Sequence, residues 1–238
     1  NITKCLKENG KFFLNSKDKF LKSLIENKVK KGKIIKVSNS TKHFNFINNI
    51  NLVGSHNILI CNIAIEICKL IGLKKENIYK SINDYVKLPH RMEVIFNSKK
   101  FLIVNDSKAT NGESTAAALS SFKNIFWIAG GLAKKNGLAK ALENIKNVLH
   151  IWLIGSSRNL FKKQLLNTDK RIQITECNSL EDAITSIFNK YNYRKQITIL
   201  FSPAAASFDY YKSFEHRGNQ FKKIITKQIH KRNLNVNN

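Results

Sequence analysis

The feature that most limits the fold of this chain is a regular alternation of two patterns after residue 100. Short apolar runs, typical of buried strands, recur at 101–104, 125–128, 151–154, 172–175 and 197–201. Stretches with helical spacing of apolar residues separate them, at 114–122, 138–145, 159–166 and 180–189, and another begins at Tyr210. Alternating strands and helices require crossover connections. The pattern therefore predicts an α/β fold with a doubly wound, mainly parallel, Rossmann-like sheet.

The first 88 residues follow a less regular pattern. They predict short strands at 12–14, 34–37 and 51–53 and helices at 19–27, 56–71 and 76–85, joined by Asn-rich loops. Pro89 disfavours helical geometry at Leu88, so the last of these helices should end before that residue. We therefore predict a domain boundary between residues 88 and 89.

The composition is strongly basic, with 41 Lys and Arg against 16 Asp and Glu and a net charge of +25. The lysines are spread along the chain in short pairs, and no zinc-finger spacing or RNP-type aromatic motif accompanies them. Two interpretations follow. Either the lysines fill solvated faces and no specific nucleic-acid partner is expected, or the chain is a non-catalytic α/β module that binds nucleic acid or another polyanion.

Apolar runs, cysteines and the first residues of the sequence bear on where in the cell the chain is found. No apolar run approaches the roughly 20 residues that cross a bilayer, so no membrane span is expected. The four cysteines show no CxxC pair, which favours free thiols in a reducing cytoplasm. The sequence begins at Asn1 without a basic and apolar leader, so we expect a cytoplasmic chain that is a fragment of a longer one.

Polar loops follow three of the predicted strands. Residues 105–111 read NDSKATN, residues 129–134 read AGGLAK, and residues 202–209 read SPAAASFD. The carboxyl ends of parallel strands meet at one edge of a sheet, so these loops should converge there. Lysines, small residues and following helix N-termini are the chemistry that binds anions. Turn and cap chemistry explains any one loop, but the three together indicate a site for an anionic ligand.

Together with LPHRME at 88–93 and FEHRG at 214–218, these loops occur in the order and spacing found in the Mur ligase family. From about residue 56 to residue 225, the chain most resembles the members that add D-glutamate. The resemblance implies a three-domain cytoplasmic enzyme of peptidoglycan synthesis, which serves cell wall biogenesis, cell shape and cell division. Residues 1–88 would be the C-terminal part of its central ATP-binding domain, an incomplete α/β ATPase domain, and residues 89–238 its C-terminal domain.

The reaction that the resemblance implies is an ATP-dependent ligation. ATP phosphorylates the carboxylate of UDP-N-acetylmuramoyl-L-alanine, and the amine of D-glutamate attacks the acyl phosphate to form an amide. The chain lacks a phosphate-binding loop, because its two Gly-Lys pairs are followed by Phe12 and Ile34. That loop and the family's Mg²⁺ ligands would lie upstream. We therefore assign no catalytic residue and no metal ligand, expect the chain alone to be inactive, and expect the complete enzyme to be a monomer.

By similarity to the family, three residues would contact ATP: Asn57 its adenine end, Arg91 its phosphates and Asp106 its ribose. The family commonly carries His-Asn-x-x-Asn at this point, whereas Ile60 stands at the second Asn position. This departure weakens the case for the adenine contact and leaves a degenerate ligase as a third possibility. Structural alternatives are a helix cap for Asn57 and a turn residue for Asp106.

Five residues would hold the amino-acid substrate and the product. The side chains of Lys108, Thr110 and Lys134 would bind their carboxylates, and the backbone N–H groups of Ser207 and Phe214 would bind the side-chain carboxylate of D-glutamate. Both chemical steps gather negative charge at one site, which lysines and oriented N–H groups stabilise.

Two further motif residues are expected to be structural. Arg217 would pair with Glu215 or Asp209, and His90 would pack or cap rather than catalyse. Both therefore stay outside the predicted binding set.

Overall fold

The computed structural model describes residues 7–26, 33–49, 52, 54–86, 88–168, 172–190 and 195–234. The chain divides into two units, Asn1–Tyr85 and Val86–Asn238, close to the position predicted for a domain boundary. Across the described ranges, none of the helices is both long enough and apolar enough to cross a membrane.

In its described residues, the first unit is built on a pair of parallel strands. These strands are β1 (Lys11–Asn15) and β2 (Lys33–Val37), and α1 (Lys19–Glu26) lies between them in the chain. A 3-10 helix (Thr41–Phe46), α2 (Ser55–Leu70) and α3 (Lys75–Asn83) follow. The strands predicted at 12–14 and 34–37 and all three predicted helices are confirmed.

The small core of this unit lies where α2 meets α3. Cys61 and Ile65 of α2 pack with Ile78 and Tyr79 of α3. The strand predicted at 51–53 is wrong at Leu52, which lies in a helical turn and donates its N–H to the carbonyl oxygen of residue 49 at 3.0 Å. Local turn bonds compete with strand pairing in such Asn-rich segments. Residues 51 and 53 lie outside the described residues.

The described part of the second unit contains six strands: β3 (Glu93–Asn97), β4 (Phe101–Asn105), β5 (Ile125–Gly130), β6 (Val148–Ile154), β7 (Ile174–Glu176) and β8 (Ile197–Phe201). They form one sheet in the order β3-β4-β8-β5-β6-β7. Neighbouring strands are parallel except β3 and β4, which pair antiparallel. The predicted mainly parallel α/β sheet is confirmed.

Helices cover this sheet: α4 (Gly112–Ser121), α5 (Arg158–Thr168), α6 (Leu180–Lys190) and α7 (Phe214–Lys231), with a 3-10 helix at Ala139–Asn147. On one face, Phe126 and Ile128 share a core with Ile184 of α6 and Phe221 of α7. Side chains alternate between faces along a strand, so the fully buried Trp127 belongs to the opposite face. Burial on both faces explains why the strands appear in the sequence as continuous apolar runs.

Three elements of this unit differ from the prediction. Residues 93–97 form the edge strand β3, which the alternation after residue 100 does not predict. Residues 139–147 form a 3-10 helix instead of an α-helix. The last helix begins at Phe214 and not at Tyr210, because Ser213 caps it and its Oγ accepts the N–H of His216 at 3.2 Å.

Candidate functional site

The three polar loops meet at the carboxyl edge of the sheet. The loops after β5 and β8 join directly, because Leu132 and Ala206 exchange backbone hydrogen bonds of 2.8 and 2.9 Å. The loop after β4 joins β8 through the N–H of Asp106, which donates to the carbonyl oxygen of Phe201 at 2.7 Å. One edge of the sheet therefore carries all three predicted loops.

Arg217 ties these loops to the start of α7. The side chain is 1% exposed; its Nε donates to Oγ of Ser107 at 3.1 Å, and its Nη2 donates to the carbonyl oxygens of Ser107 and Ala205 at 2.9 and 3.0 Å. Oγ of Ser107 in turn donates to the carbonyl oxygen of Phe214 at 2.8 Å. This arrangement, which we call the Arg217 network, fixes Ser107, Ala205 and Phe214 relative to one another.

The expected pairing of Arg217 with Glu215 or Asp209 is wrong. The described partners of its guanidinium are a hydroxyl and two backbone carbonyl oxygens. Burial lowers the pKa of Arg217 to about 10, while the charges of Asp209 and Tyr211 act in the opposite direction. Ser107 is a member of the network that the sequence did not single out, since a hydroxyl that accepts from a distant arginine leaves no local pattern.

The carboxylate of Asp106 accepts hydrogen bonds from two segments, the one before β3 and the one after β8. Its side chain is 4% exposed. Oδ1 accepts the N–H of Met92 at 3.0 Å, and Oδ2 accepts the hydroxyl of Ser202 at 2.8 Å. Both carboxylate oxygens of Asp106 thus accept hydrogen bonds within the protein, as expected for the structural role that is the alternative to ribose binding. A ribose hydroxyl would have to donate to an oxygen that already accepts one of these bonds.

His90 is the buried centre of a second set of bonds. The backbone N–H of His90 donates to Oε2 of Glu93 at 3.0 Å, and the ring Nδ1 of His90 lies 2.9 Å from Nδ2 of Asn105. Because the Asn105 amide donates, Nδ1 is the acceptor and the neutral ring carries its proton on Nε2. Burial lowers the pKa of His90, partly offset by Glu93, which favours this neutral form. These contacts agree with the expected packing role.

Three of the predicted residues line one open groove of about 620 Å³: Arg91, Lys108 and Phe214. Nζ of Lys108 lies 3.8 Å from the centre of the Phe214 ring, within cation–π distance. Lys222 of α7 adds a cation to the groove and pairs with Glu93 at 2.7 Å. The backbone N–H groups of His90 and Met92, on either side of Arg91, donate to the carboxylates of Glu93 and Asp106. These bonds fix the backbone at Arg91, and the Arg91 side chain is exposed.

The other predicted substrate residues lie on the adjoining loops. Lys134 is exposed in the loop after β5, and Ser207 is buried in the loop after β8; the bridge between Leu132 and Ala206 places these loops side by side. Thr110 is half-buried and precedes Asn111, whose side chain caps α4 by accepting the N–H of Ser114 at 2.9 Å. The described contacts include no direct bond among Lys134, Thr110 and Ser207.

Asn57 belongs to the first unit. It is buried in the first turn of α2, but the N-cap position is Gly54, so the alternative role of Asn57 as the helix cap is wrong. Ile60 is 59% exposed. Asn62 does not take the role of the asparagine that the family carries at position 60. Its side chain is buried and donates to the carbonyl oxygens of Ser38 and Ser40 at 2.8 and 2.9 Å.

A metal ion needs several ligating side chains close together. Within the described part of the chain, no group of three His, Cys, Asp or Glu side chains is placed to hold a metal ion.

The chain is similar in sequence to a known protein family. Residues 90–205 match the family model described as "Mur ligase, glutamate ligase domain". A UDP-N-acetylmuramoylalanine–D-glutamate ligase of Prochlorococcus marinus (strain MIT 9312) is 35% identical over 185 residues, covering 77% of this chain and 40% of the relative. The ligase of the same name from Wolbachia pipientis wMel is 37% identical over 173 residues, covering 72% and 33%. The chain thus spans less than half the length of these relatives.

Solved structures share the fold. MurF from Acinetobacter baumannii superposes with a TM-score of 0.64 at 14% identity, covering 96% of this chain and 53% of that one. A bifunctional folylpolyglutamate synthase/dihydrofolate synthase from Yersinia pestis, complexed with AMPPNP and Mn ion, gives a TM-score of 0.59 at 13% identity, covering 96% and 55%. At these identities the likeness concerns the fold alone.

Proposed function

Residues 90–205 belong to the Mur ligase family as its glutamate ligase domain, and from this we propose that the chain is part of a UDP-N-acetylmuramoylalanine–D-glutamate ligase. Residues 1–88 would be the C-terminal part of its central ATP-binding domain and residues 89–238 its C-terminal domain. The enzyme would act in the cytoplasm as a monomer and serve peptidoglycan synthesis, and through it cell wall biogenesis, cell shape and cell division.

The observation that carries the proposal is the Arg217 network. It joins NDSKATN to SPAAASFD and FEHRG, two motifs that are close to each other but far from NDSKATN in the sequence, at one edge of the sheet. The alternative function, a polyanion-binding module, does not explain why these three motifs occur together. In a ligase, the network would fix the loops that hold the carboxylates of D-glutamate while its amine attacks.

The reaction transfers the γ-phosphoryl group of ATP to the carboxylate of UDP-N-acetylmuramoyl-L-alanine. The amine of D-glutamate then attacks the acyl carbon, phosphate leaves with the electrons of the C–O bond, and the nitrogen loses a proton. Negative charge gathers on the phosphoryl oxygens in both steps. Arg91, which is exposed on the groove wall, would meet the phosphates of ATP, and Asp106 would meet the ribose.

D-Glutamate would be held by the adjoining loops. Lys108, Thr110 and Lys134 would bind carboxylates of the amino acid and the product, and the N–H groups of Ser207 and Phe214 would bind the side-chain carboxylate. The Arg217 network supports this role, since it sets the position of the backbone at Phe214 and at Ala205, two residues before Ser207. Asn57 would contact the adenine, and Mg²⁺ would be held by residues outside this chain.

The test measures phosphate release by the complete enzyme that contains this chain. Release should require ATP, UDP-N-acetylmuramoyl-L-alanine and D-glutamate together, and the product should gain the mass of one glutamate residue. At low D-glutamate, Lys134→Ala should lower the rate, whereas Lys135→Ala, a neighbouring exposed lysine, should not. Equal turnover with L-glutamate, or release without any amino acid, would contradict the proposal.

A further inference from the structure

A small cleft of about 240 Å³ lies at the ends of β5 and β6, beside the start of α6. Its walls include Gly131, Gly155, Arg217 and the segment 209–211. Its described lining contains none of the eight residues assigned above to ATP or D-glutamate. The cleft is smaller than the roughly 300–1,000 Å³ of sites for drug-sized ligands, so an occupant would be a small molecule.

One wall of the cleft carries a buried cation with an unused donor. Nη1 of Arg217 is buried and has no hydrogen-bond partner among the described residues, although Nε and Nη2 of the same guanidinium are bonded. A Cβ added to Gly131 would lie 2.9 Å from Nη1, so this nitrogen faces the glycine that borders the cleft. A charged donor left unpaired in the interior is costly, which indicates that an acceptor belongs there.

The carboxylate of Asp209 lies near the same glycine. Oδ2 of Asp209 accepts the N–H of Ser156 at 3.0 Å. A Cβ added to Gly155 would lie 2.5 Å from this oxygen and 2.7 Å from the nitrogen of Gly131. Among the ion pairs described for the chain, none joins Arg217 to Asp209. Arg217 and Asp209 therefore line one cleft without a direct ion pair, although the charge of Asp209 partly offsets the effect of burial on the pKa of Arg217.

We propose that this cleft binds a free α-amino acid, with its carboxylate on Nη1 of Arg217 and its ammonium group on Asp209. A zwitterion matches the two separated charges, whereas Asp209 repels a simple anion. The N-terminus of α6, where Ser179 lines the cleft, adds partial positive charge near the carboxylate. Because Nη1 is shielded from solvent, the segment 209–211 must shift to admit the ligand. The proposal depends on the charges of the cleft and not on the proposed ligase reaction.

The test compares glycine with acetate, which is the same molecule without the ammonium group. The full chain is labelled with ¹⁵N, and the amide signals of Gly130, Gly131 and Gly155 and the Nε–H signal of Arg217 are followed. Glycine should shift these signals and bind at least about 10-fold more tightly than acetate, because acetate has no ammonium group to donate to Asp209. Equal affinities, or no shift at about 10 mM glycine, where a millimolar site would be occupied, would overturn the proposal.

Variants separate the cleft from the predicted glutamate site. Asp209→Asn should abolish the preference for glycine over acetate, and Glu113→Gln, an exposed acid on α4, should retain it. Lys134→Ala should leave the glycine-induced shifts unchanged. A preference that survives in Asp209→Asn, or shifts that disappear in Lys134→Ala, would contradict the assignment. If Asp209→Asn fails to fold, the comparison of glycine with acetate on the unaltered chain still decides.

Discussion

Two sets of motif residues meet at the carboxyl edge of the sheet, and their environments are opposite. Asn105, Asp106 and Ser107 are buried and bonded, while Lys108, the next residue, is exposed. Arg217 is buried within FEHRG, and Lys134 is exposed after the paired glycines. The motifs therefore combine two kinds of residue: buried polar residues, which we call the frame, and exposed cations that can bind a ligand.

Hydrogen bonds hold the frame together, and Nη1 of Arg217 is its one buried side-chain polar atom for which the described residues give no partner. Burying a polar group costs free energy unless it is hydrogen-bonded, so most such groups in native proteins are satisfied. Asn105 illustrates this: its Nδ2 donates to the carbonyl oxygen of Gly218 at 3.1 Å, and its Oδ1 accepts the N–H of Ser107 at 3.2 Å. Substitutions in the frame should therefore change stability first, and substitutions of the exposed cations should change function first.

The largest loss of stability is expected for Arg217→Met. Two buried carbonyl oxygens and a hydroxyl lose their donor, at about 1–3 kcal/mol each, so the free energy of unfolding should fall by about 3 kcal/mol or more. Urea unfolding followed by tryptophan fluorescence reports on the second unit, because Trp127 and Trp152 both lie in its sheet. Arg232→Met, near the end of α7, is the control and should change the midpoint little. Similar losses in the two variants would remove the distinction between frame and surface.

A smaller loss is expected for Asp106→Ala. The N–H of Met92 and the hydroxyl of Ser202 lose their acceptor, which should lower the free energy of unfolding by about 1–3 kcal/mol. Asp106→Asn keeps one oxygen for Met92 and should lose less. The same fluorescence measurement checks both variants. If Asn and Ala were equally damaging, the negative charge and not the hydrogen bonds would be the important property.

The pH dependence of stability tests the buried histidine of the frame. Burial lowers the pKa of His90 below its ordinary value of 6.5, so the unfolded chain binds more protons than the folded chain at acidic pH. Stability should therefore fall as the pH drops below 6.5. His90→Asn, which tolerates the positive φ of 62° at this position, should reduce the slope. Part of the slope should remain, because burial also lowers the pKa of His43 and His150. An unchanged slope in the variant would contradict the burial of a neutral ring.

The sequence predicted the elements whose burial is continuous and missed those that depend on distant partners. The runs at 101–104 and 197–201 are buried on both faces and were recognisable as strands. β3 is an antiparallel edge strand whose apolar run, at 94–96 between Glu93 and Asn97, is shorter than the runs that predicted strands elsewhere. Periodicity also cannot separate a 3-10 helix from a short α-helix at 139–147.

The same limit applies to the site. The loops were predictable because strand ends in a parallel sheet share one edge. The partners of Arg217 were not, because backbone carbonyl oxygens are present at every residue and carry no sequence signal. An acidic neighbour such as Glu215 is visible in the sequence, which made an ion pair the obvious but incorrect expectation.

The contrast between the two exposed cations Arg91 and Lys134 tests the central claim most directly. Steady-state kinetics of the complete enzyme, with ATP and D-glutamate varied separately, should show the KM for D-glutamate raised roughly 10- to 100-fold in Lys134→Ala, since a charged hydrogen bond contributes about 1.5–3 kcal/mol. The KM for ATP and the urea midpoint should stay unchanged in that variant, and Arg91→Ala should instead raise the KM for ATP. If Lys134→Ala altered the dependence on ATP alone, or if neither variant changed activity, the division into a buried frame and ligand-binding cations would be wrong.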